Sequence, residues 1–188
     1  IIYKIGVQNL GYGPGLYDLL KKYNIGADIH LIVNNPVEYL QKINAKSFSI
    51  PIRASMHVES GEKFSDFINT AEWLGIIPGL AFKLKTSIPK DFQKYIDFKY
   101  FHLVCNDEES GILAFQDEIF EKISNLRNVK KHEQTITIDC GVKKEHIAPG
   151  IKGGVNYFVM GSAIFKNSNP FKFIKAAPDI GIFSAKKN

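Results

Sequence analysis

Short apolar runs recur along this chain at intervals of roughly 25 residues, and between them apolar side chains fall at helical spacing. Runs at Ile1–Val7, Ala27–Val33, Ile52–Val58, Gly79–Leu84, Tyr100–Cys105, Thr135–Ile138 and Asn156–Met160 predict seven strands. They are apolar on both faces instead of alternating, which is the pattern of parallel strands covered on each side. Leu16, Leu19, Leu20 and Tyr23 predict a helix after the glycine-rich turn Asn9–Gly15, closed by Asn24 and Gly26. Pro36 opens a second helix at the position proline favours. Ser60 is read as the cap of a third, from Glu62 to Leu74, with Phe64, Phe67, Ile68, Ala71 and Leu74 on its buried face. A short helix is expected over Asp91–Ile96. The strongest helical face joins Ile112, Phe115, Ile119, Ile123 and Leu126.

Strand and helix in regular alternation predict a TIM (β/α)8-type barrel, a single domain over residues 1–188. No G-x-G-x-x-G turn follows the first strand, which weighs against a dinucleotide fold. Seven units are one fewer than a barrel needs, so the first β/α unit is expected to be absent or incomplete in this chain.

Composition narrows the class. With 188 residues, 45% hydrophobic and 23% charged, the chain is long enough to bury one good core. No apolar run approaches the ~18 residues that read as a membrane span, so a soluble protein is expected. The net charge of +5 comes from dispersed lysines without a basic stripe, which argues against nucleic acid and for small anionic substrates. Two cysteines, Cys105 and Cys140, make no disulfide framework, and the start Ile1-Ile2-Tyr3-Lys4 has no secretory character. Both suit a reducing cytoplasm.

Candidate chemistry concentrates in Thr135–Phe165. One strand there delivers Asp139 and the next delivers Gly161-Ser162, both at carboxyl ends of strands, where α/β proteins bind ligands. A carboxylate beside a small-residue turn suits a phosphorylated substrate. Asp139 has a simpler reading as the cap of a helix over Lys143–Ile151. Lys83 and Lys85 raise the thought of a Schiff-base amine, but solvated lysines at strand ends are commoner. Strand alternation turns Cys140 away from Asp139, against a metal site built with Cys105. Trp73 is read as core or helix-interface packing. His102, His132 and His146 have no evident partner in the sequence.

Four motifs then occur in one order and register. Asp28-Ile29-His30-Leu31-Ile32-Val33-Asn34-Asn35-Pro36 resembles the D-h-H-L-M-V-x-x-P element of ribulose-phosphate 3-epimerases. Asn9-Leu10-Gly11-Tyr12-Gly13-Pro14 is similar to that family's N-h-[ST]-F-G-P turn, Ile138-Asp139-Cys140-Gly141-Val142 to its V-D-G-G-h, and Val159–Phe165 to its V-x-G-S-A-h-F. The resemblance implies a barrel of the ribulose-phosphate-binding type that interconverts ribulose 5-phosphate and xylulose 5-phosphate. It implies a proton taken from C3 and returned through an enediolate by two aspartates on opposite faces. It also implies a divalent metal, Zn²⁺ or Fe²⁺, on those aspartates and two histidines. His30 matches one metal ligand, and Asp139 matches one acid-base residue and ligand. Gly141, Gly161 and Ser162 match the backbone cradle for phosphate, with Gly111 of the sixth-strand loop a further candidate contact. His57 and Glu59 stand where the family also has a histidine and often an acid, as supporting or mouth residues. Family habit implies a homo-oligomer.

The departures are specific. The family's H-x-D of strand two aligns just before Ile1. The N-P-G-F-G-G-Q loop is here Asp107-Glu108-Glu109-Ser110-Gly111-Ile112-Leu113, whose carboxylates oppose an incoming phosphate. Cys140 replaces the first glycine of D-G-G, and Ile32 replaces the methionine of H-L-M-V. They motivate an alternative: a degenerate barrel acting as a sugar-phosphate-binding or assembly protein.

Overall fold

The computed structural model describes residues 2–3, 20–43, 51–89 and 91–175. The turn Asn9–Gly15 lies outside the described residues, and the helix expected from Leu16 is described only from Leu20 onward. Its end is as expected: Asn24 turns left-handed at φ 51° and the Ile25 amide donates to Leu20 O at 2.8 Å. The chain divides into two compact units, Ile1–Phe82 with Gln93–Phe101, and Lys83–Phe92 with His102–Asn188.

The first unit carries strands β1 (Ile2–Tyr3), β2 (Ala27–Leu31), β3 (Ile52–His57) and β4 (Ile76–Phe82). They lie side by side in chain order and all parallel, with Ile2 opposite His30, Asp28 opposite Arg53 and Ala54 opposite Pro78. Helix α1 (Pro36–Gln41) follows β2 and begins at Pro36 as expected; α2 (Phe64–Leu74) follows β3. Phe67, Ile68, Ala71 and Leu74 are the buried face of α2, and Phe64 packs over Tyr95 and Phe98 at ring separations of 5.3 and 5.7 Å. The cap differs from expectation. Lys63 stands at the N-cap without a side-chain bond, and the Ser60 hydroxyl accepts only from the Glu62 amide at 3.4 Å. Trp73 is 69% exposed, so it is not core. The short helix near Asp91 is a three-residue 3-10 turn, Gln93–Tyr95.

Strand β4 starts three residues before the expected Gly79, at Ile76. Pro78 has no amide to donate, but its carbonyl accepts from the Lys99 amide at 2.9 Å. Gly79 is required by close approach. A Cβ there would stand 2.2 Å from Cζ of Tyr100, whose ring lies across the glycine and is 1% exposed. The Tyr100 hydroxyl donates to Asp28 Oδ1 at 2.8 Å, Arg53 reaches Asp28 Oδ2 at 3.2 Å, and the guanidinium sits 3.7 Å from the Tyr100 ring centroid. Burial first, and the Asp28 carboxylate second, hold the phenol well above its ordinary pKa, so it stays a donor.

Strand β5 (Tyr100–Val104) starts in the first unit and ends in the second. The second unit continues with α3 (Ile119–Val129), β6 (Thr135–Asp139), α4 (Ile147–Gly153), β7 (Tyr157–Phe158), α5 (Gly161–Phe165) and α6 (Pro170–Lys175). β6 and β7 are parallel, with Thr137 opposite Tyr157. Ile119, Ile123 and Leu126 are buried on α3 as expected, but Ile112 and Phe115 precede the helix. The reason is local: Asp107 and Ile112 exchange backbone bonds, Ile112 N to Asp107 O at 2.8 Å and Asp107 N to Ile112 O at 3.0 Å. That closes a small hairpin and delays the helix. Lys122 is buried on α3, its ammonium donating to the carbonyls of Lys83 and Leu84.

In the first unit, parallel strands in chain order, with helices after β2 and β3, follow the pattern of a β/α barrel wall and not of a doubly wound sheet, whose order reverses at a switch point. No helix among the described residues is long and apolar enough to cross a membrane.

The Gly79–Tyr100 contact gives a direct test. Gly79→Ala forces a methyl into a buried ring and is expected to destabilise the fold by about 1–3 kcal/mol in urea denaturation.

Candidate functional site

Each unit brings buried polar side chains to the carboxyl ends of its strands. In the first unit β2 and β3 run together so that His30 lies opposite Ser55 and Leu31 opposite Met56. Histidines His30 and His57 are 3% and 1% exposed. Their rings meet end to end, with centroids 4.8 Å apart, planes at 13° and Nε2 atoms 2.6 Å apart. On the far side His57 Nδ1 meets Glu59 Oε2 at 3.1 Å. Glu59 belongs to the 3-10 turn Val58–Ser60 that leaves β3 directly, which is why an acid two residues past the strand reaches back to it.

In the second unit Asp139 ends β6, after the buried residues Ile136, Thr137 and Ile138. Its backbone carbonyl accepts from Cys105 N at 2.9 Å, and Oδ1 accepts from Cys140 N at 2.6 Å. Oδ2 lies 3.4 Å from His102 Nε2, the histidine being 2% exposed on β5. His102 is the functional candidate that the sequence reading left unpartnered. The signal was present: a histidine inside the apolar run Tyr100–Cys105 must meet a polar partner if the strand is buried.

Asp139 does not cap the helix that follows. The turn Lys144–His146 precedes α4, and the Lys143 amide donates to His146 Nδ1 at 3.0 Å. Between strand and turn, Cys140 and Gly141 both adopt left-handed backbone, at φ 73° and 76°. Gly141 is needed twice over, since a Cβ would stand 2.7 Å from the Phe115 amide nitrogen. Phe115 in turn stacks on His146 at 3.7 Å between centroids.

The other expected phosphate contacts are also in this unit. Gly161 and Ser162 are exposed at the start of α5, and Gly111, at φ 74°, is the turn residue of the Asp107–Ile112 hairpin. That hairpin keeps amides for itself: Ser110 N donates to both the carbonyl and the carboxylate of Asp107, at 3.2 and 3.3 Å. Glu109 pairs with Lys83, so one carboxylate opposing an anion is compensated.

Rival chemistries lose ground. Lys85 is paired with Glu118 at 2.7 Å, and that bond raises its pKa, the opposite of what an amine nucleophile needs. Burial pushes the Cys105 thiol well up, so it is an inert core group.

The family model described as "Ribulose-phosphate 3 epimerase family" matches residues 5–165. The ribulose-phosphate 3-epimerase of Buchnera aphidicola subsp. Acyrthosiphon pisum is 31% identical over 173 residues, spanning 87% of this chain and 72% of the relative. That of Serratia marcescens is 31% identical over 167 residues, spanning 85% and 77%. Among solved structures, orotidine 5'-phosphate decarboxylase from Pyrococcus horikoshii OT3 superposes with a TM-score of 0.59 at 18% identity, over 95% of this chain and 86% of that one. That last likeness concerns the TIM-barrel-like fold alone.

Two outcomes test the geometry after β6. Cys140→Gly relieves left-handed strain and is expected to stabilise the chain by about 0.5–1 kcal/mol in chemical denaturation. Burial lowers the pKa of His146 below the ordinary imidazole value, against raising contributions from Glu145 and Asp117. Protonation at Nδ1 would also remove the acceptor for the Lys143 amide. The cap is therefore fully present above about pH 6.5 and is lost as pH falls through the depressed value of the folded state. Hydrogen-exchange protection of the Lys143 amide is expected to drop between about pH 7 and pH 5.

Proposed function

The chain belongs to the ribulose-phosphate 3-epimerase family, and from that premise we propose that it interconverts ribulose 5-phosphate and xylulose 5-phosphate by removing and returning the proton at C3. Family membership makes it a sugar-phosphate epimerase; the mechanism is our reading. Asp139 is assigned as an acid-base residue. Its carboxylate is 13% exposed at the end of a buried strand, able to take a proton from carbon with little competing water. The observation that carries this assignment is the close approach of the buried His102 imidazole, whose Nε2 lies 3.4 Å from Asp139 Oδ2. The Cys140 amide on Oδ1 holds Asp139 in orientation, with the His102 ring beside Oδ2.

The family motif gives His30 and Asp139 as metal ligands. The residues fit a divalent ion by donor chemistry, since imidazole nitrogen and carboxylate oxygen are what Zn²⁺ and Fe²⁺ take. Such an ion, when bound, offsets the negative charge that the enediolate places on the substrate oxygens. Gly141, Gly161 and Ser162 are assigned to the phosphate through backbone amides, with Gly111 at the edge of that contact.

A second reading rests on one observation. The Asp107–Ile112 hairpin uses its amides internally, which fits a barrel that binds a sugar phosphate without turning it over.

One experiment separates the two. The full chain with Zn²⁺ or Fe²⁺ and ribulose 5-phosphate in deuterated water is expected to incorporate deuterium at C3, and Asp139→Asn to abolish incorporation with the circular-dichroism spectrum unchanged. Ribulose 5-phosphate binding in calorimetry without exchange favours the binding protein. An active Asp139→Asn removes this residue from the chemistry.

A further inference from the structure

Three side chains of the first unit form a line whose protons can be counted. Glu59 offers only acceptors, so the 3.1 Å contact to His57 Nδ1 requires the proton on that nitrogen. A neutral His57 then carries no proton on Nε2, which faces His30 Nε2 at 2.6 Å. Two lone pairs cannot meet at that distance, so the proton between the rings belongs to His30 Nε2. A neutral His30 is left with its lone pair on Nδ1. The near-coplanar, end-to-end geometry, 4.8 Å between centroids with planes at 13°, and the 3% and 1% exposure of the rings keep water from scrambling the arrangement.

We propose that Glu59 is a positioning residue: acting through His57, it fixes His30 as the Nε2–H tautomer and so presents Nδ1 as a ready metal ligand. The inference deepens the proposed epimerase reading and rests on its assignment of His30 as a ligand. A metal-binding histidine gains from having its other nitrogen engaged, because the tautomer and ring orientation are then set before the ion arrives. Here the engaging group is a second histidine, itself set by a carboxylate two residues further on. Glu59 never touches the ion, yet the chain of protons makes His30 depend on it.

The test combines nitrogen spectroscopy with Zn²⁺ binding, on the full chain. In ¹⁵N-histidine-labelled protein without metal, long-range proton–nitrogen correlation is expected to show the pyrrole-type nitrogen at Nδ1 of His57 and at Nε2 of His30. Glu59→Ala is expected to collapse both patterns toward tautomer averages and to weaken Zn²⁺ binding, measured by calorimetry, by about 10–100-fold. Glu59→Asp is expected to restore both in part, which a merely structural role would not produce. A proton on His30 Nδ1 in the wild type overturns the proposal, as does a Glu59→Ala protein with unchanged tautomers and unchanged Zn²⁺ affinity. If the wild type has the expected tautomers but binds no Zn²⁺, the metal reading fails, and with it the ligand role given to Nδ1; the proton order set by Glu59 stands.

Discussion

An imidazole carried inside on a parallel strand must find a polar partner there, because the strand's own amides and carbonyls are committed to its neighbours. This chain does so three times, with His30, His57 and His102 all nearly inaccessible to water. His30 meets His57 and His57 meets Glu59 through ring nitrogens, while His102 lies with Nε2 3.4 Å from the Asp139 carboxylate. Burial and chemistry are thus the same requirement. The partners that make these histidines tolerable in the core are also the groups that fix where protons and lone pairs sit.

The opposite ends of the strands show a different economy. At the starts of β2 and β3, Asp28, Arg53 and Tyr100 close a knot in which phenol, carboxylate and guanidinium satisfy one another. The Tyr100 phenol is no acid near neutral pH, since burial and the Asp28 carboxylate keep it protonated. Such a knot holds strands in register, in keeping with barrels that place stability at one face and reactivity at the other.

Much of this was legible from residue order. Doubly buried runs gave the strands because periodicity survives whatever the tertiary contacts, and α2 shows its buried face where Phe67, Ile68, Ala71 and Leu74 predict it. His30 and Asp139 were legible through motif context. What escaped depended on contacts between residues distant in sequence. The start of β4 at Ile76 lies ahead of the expected Gly79, and the Pro78 carbonyl there has its partner, Lys99, 21 residues away. The apolar period through Ile112 and Phe115 was real, but backbone bonds from Asp107 overrode it. His102 needed Asp139, on another strand, to acquire a role. The His57–Glu59 link was in plain sight at two residues' spacing; only its extension to His30 required three-dimensional proximity.

The single tryptophan has a practical corollary. Trp73, at 69% exposure, already emits as a hydrated indole in the native state, so its spectrum has little room to shift to the red when the chain unfolds. Optical contrast between folded and unfolded chain resides instead in the buried phenols Tyr95 and Tyr100, at 2% and 1% exposure, whose asymmetric surroundings give near-ultraviolet dichroism. A melting curve followed by tryptophan fluorescence would report the outer surface of α2, and a flat trace would say nothing about the core.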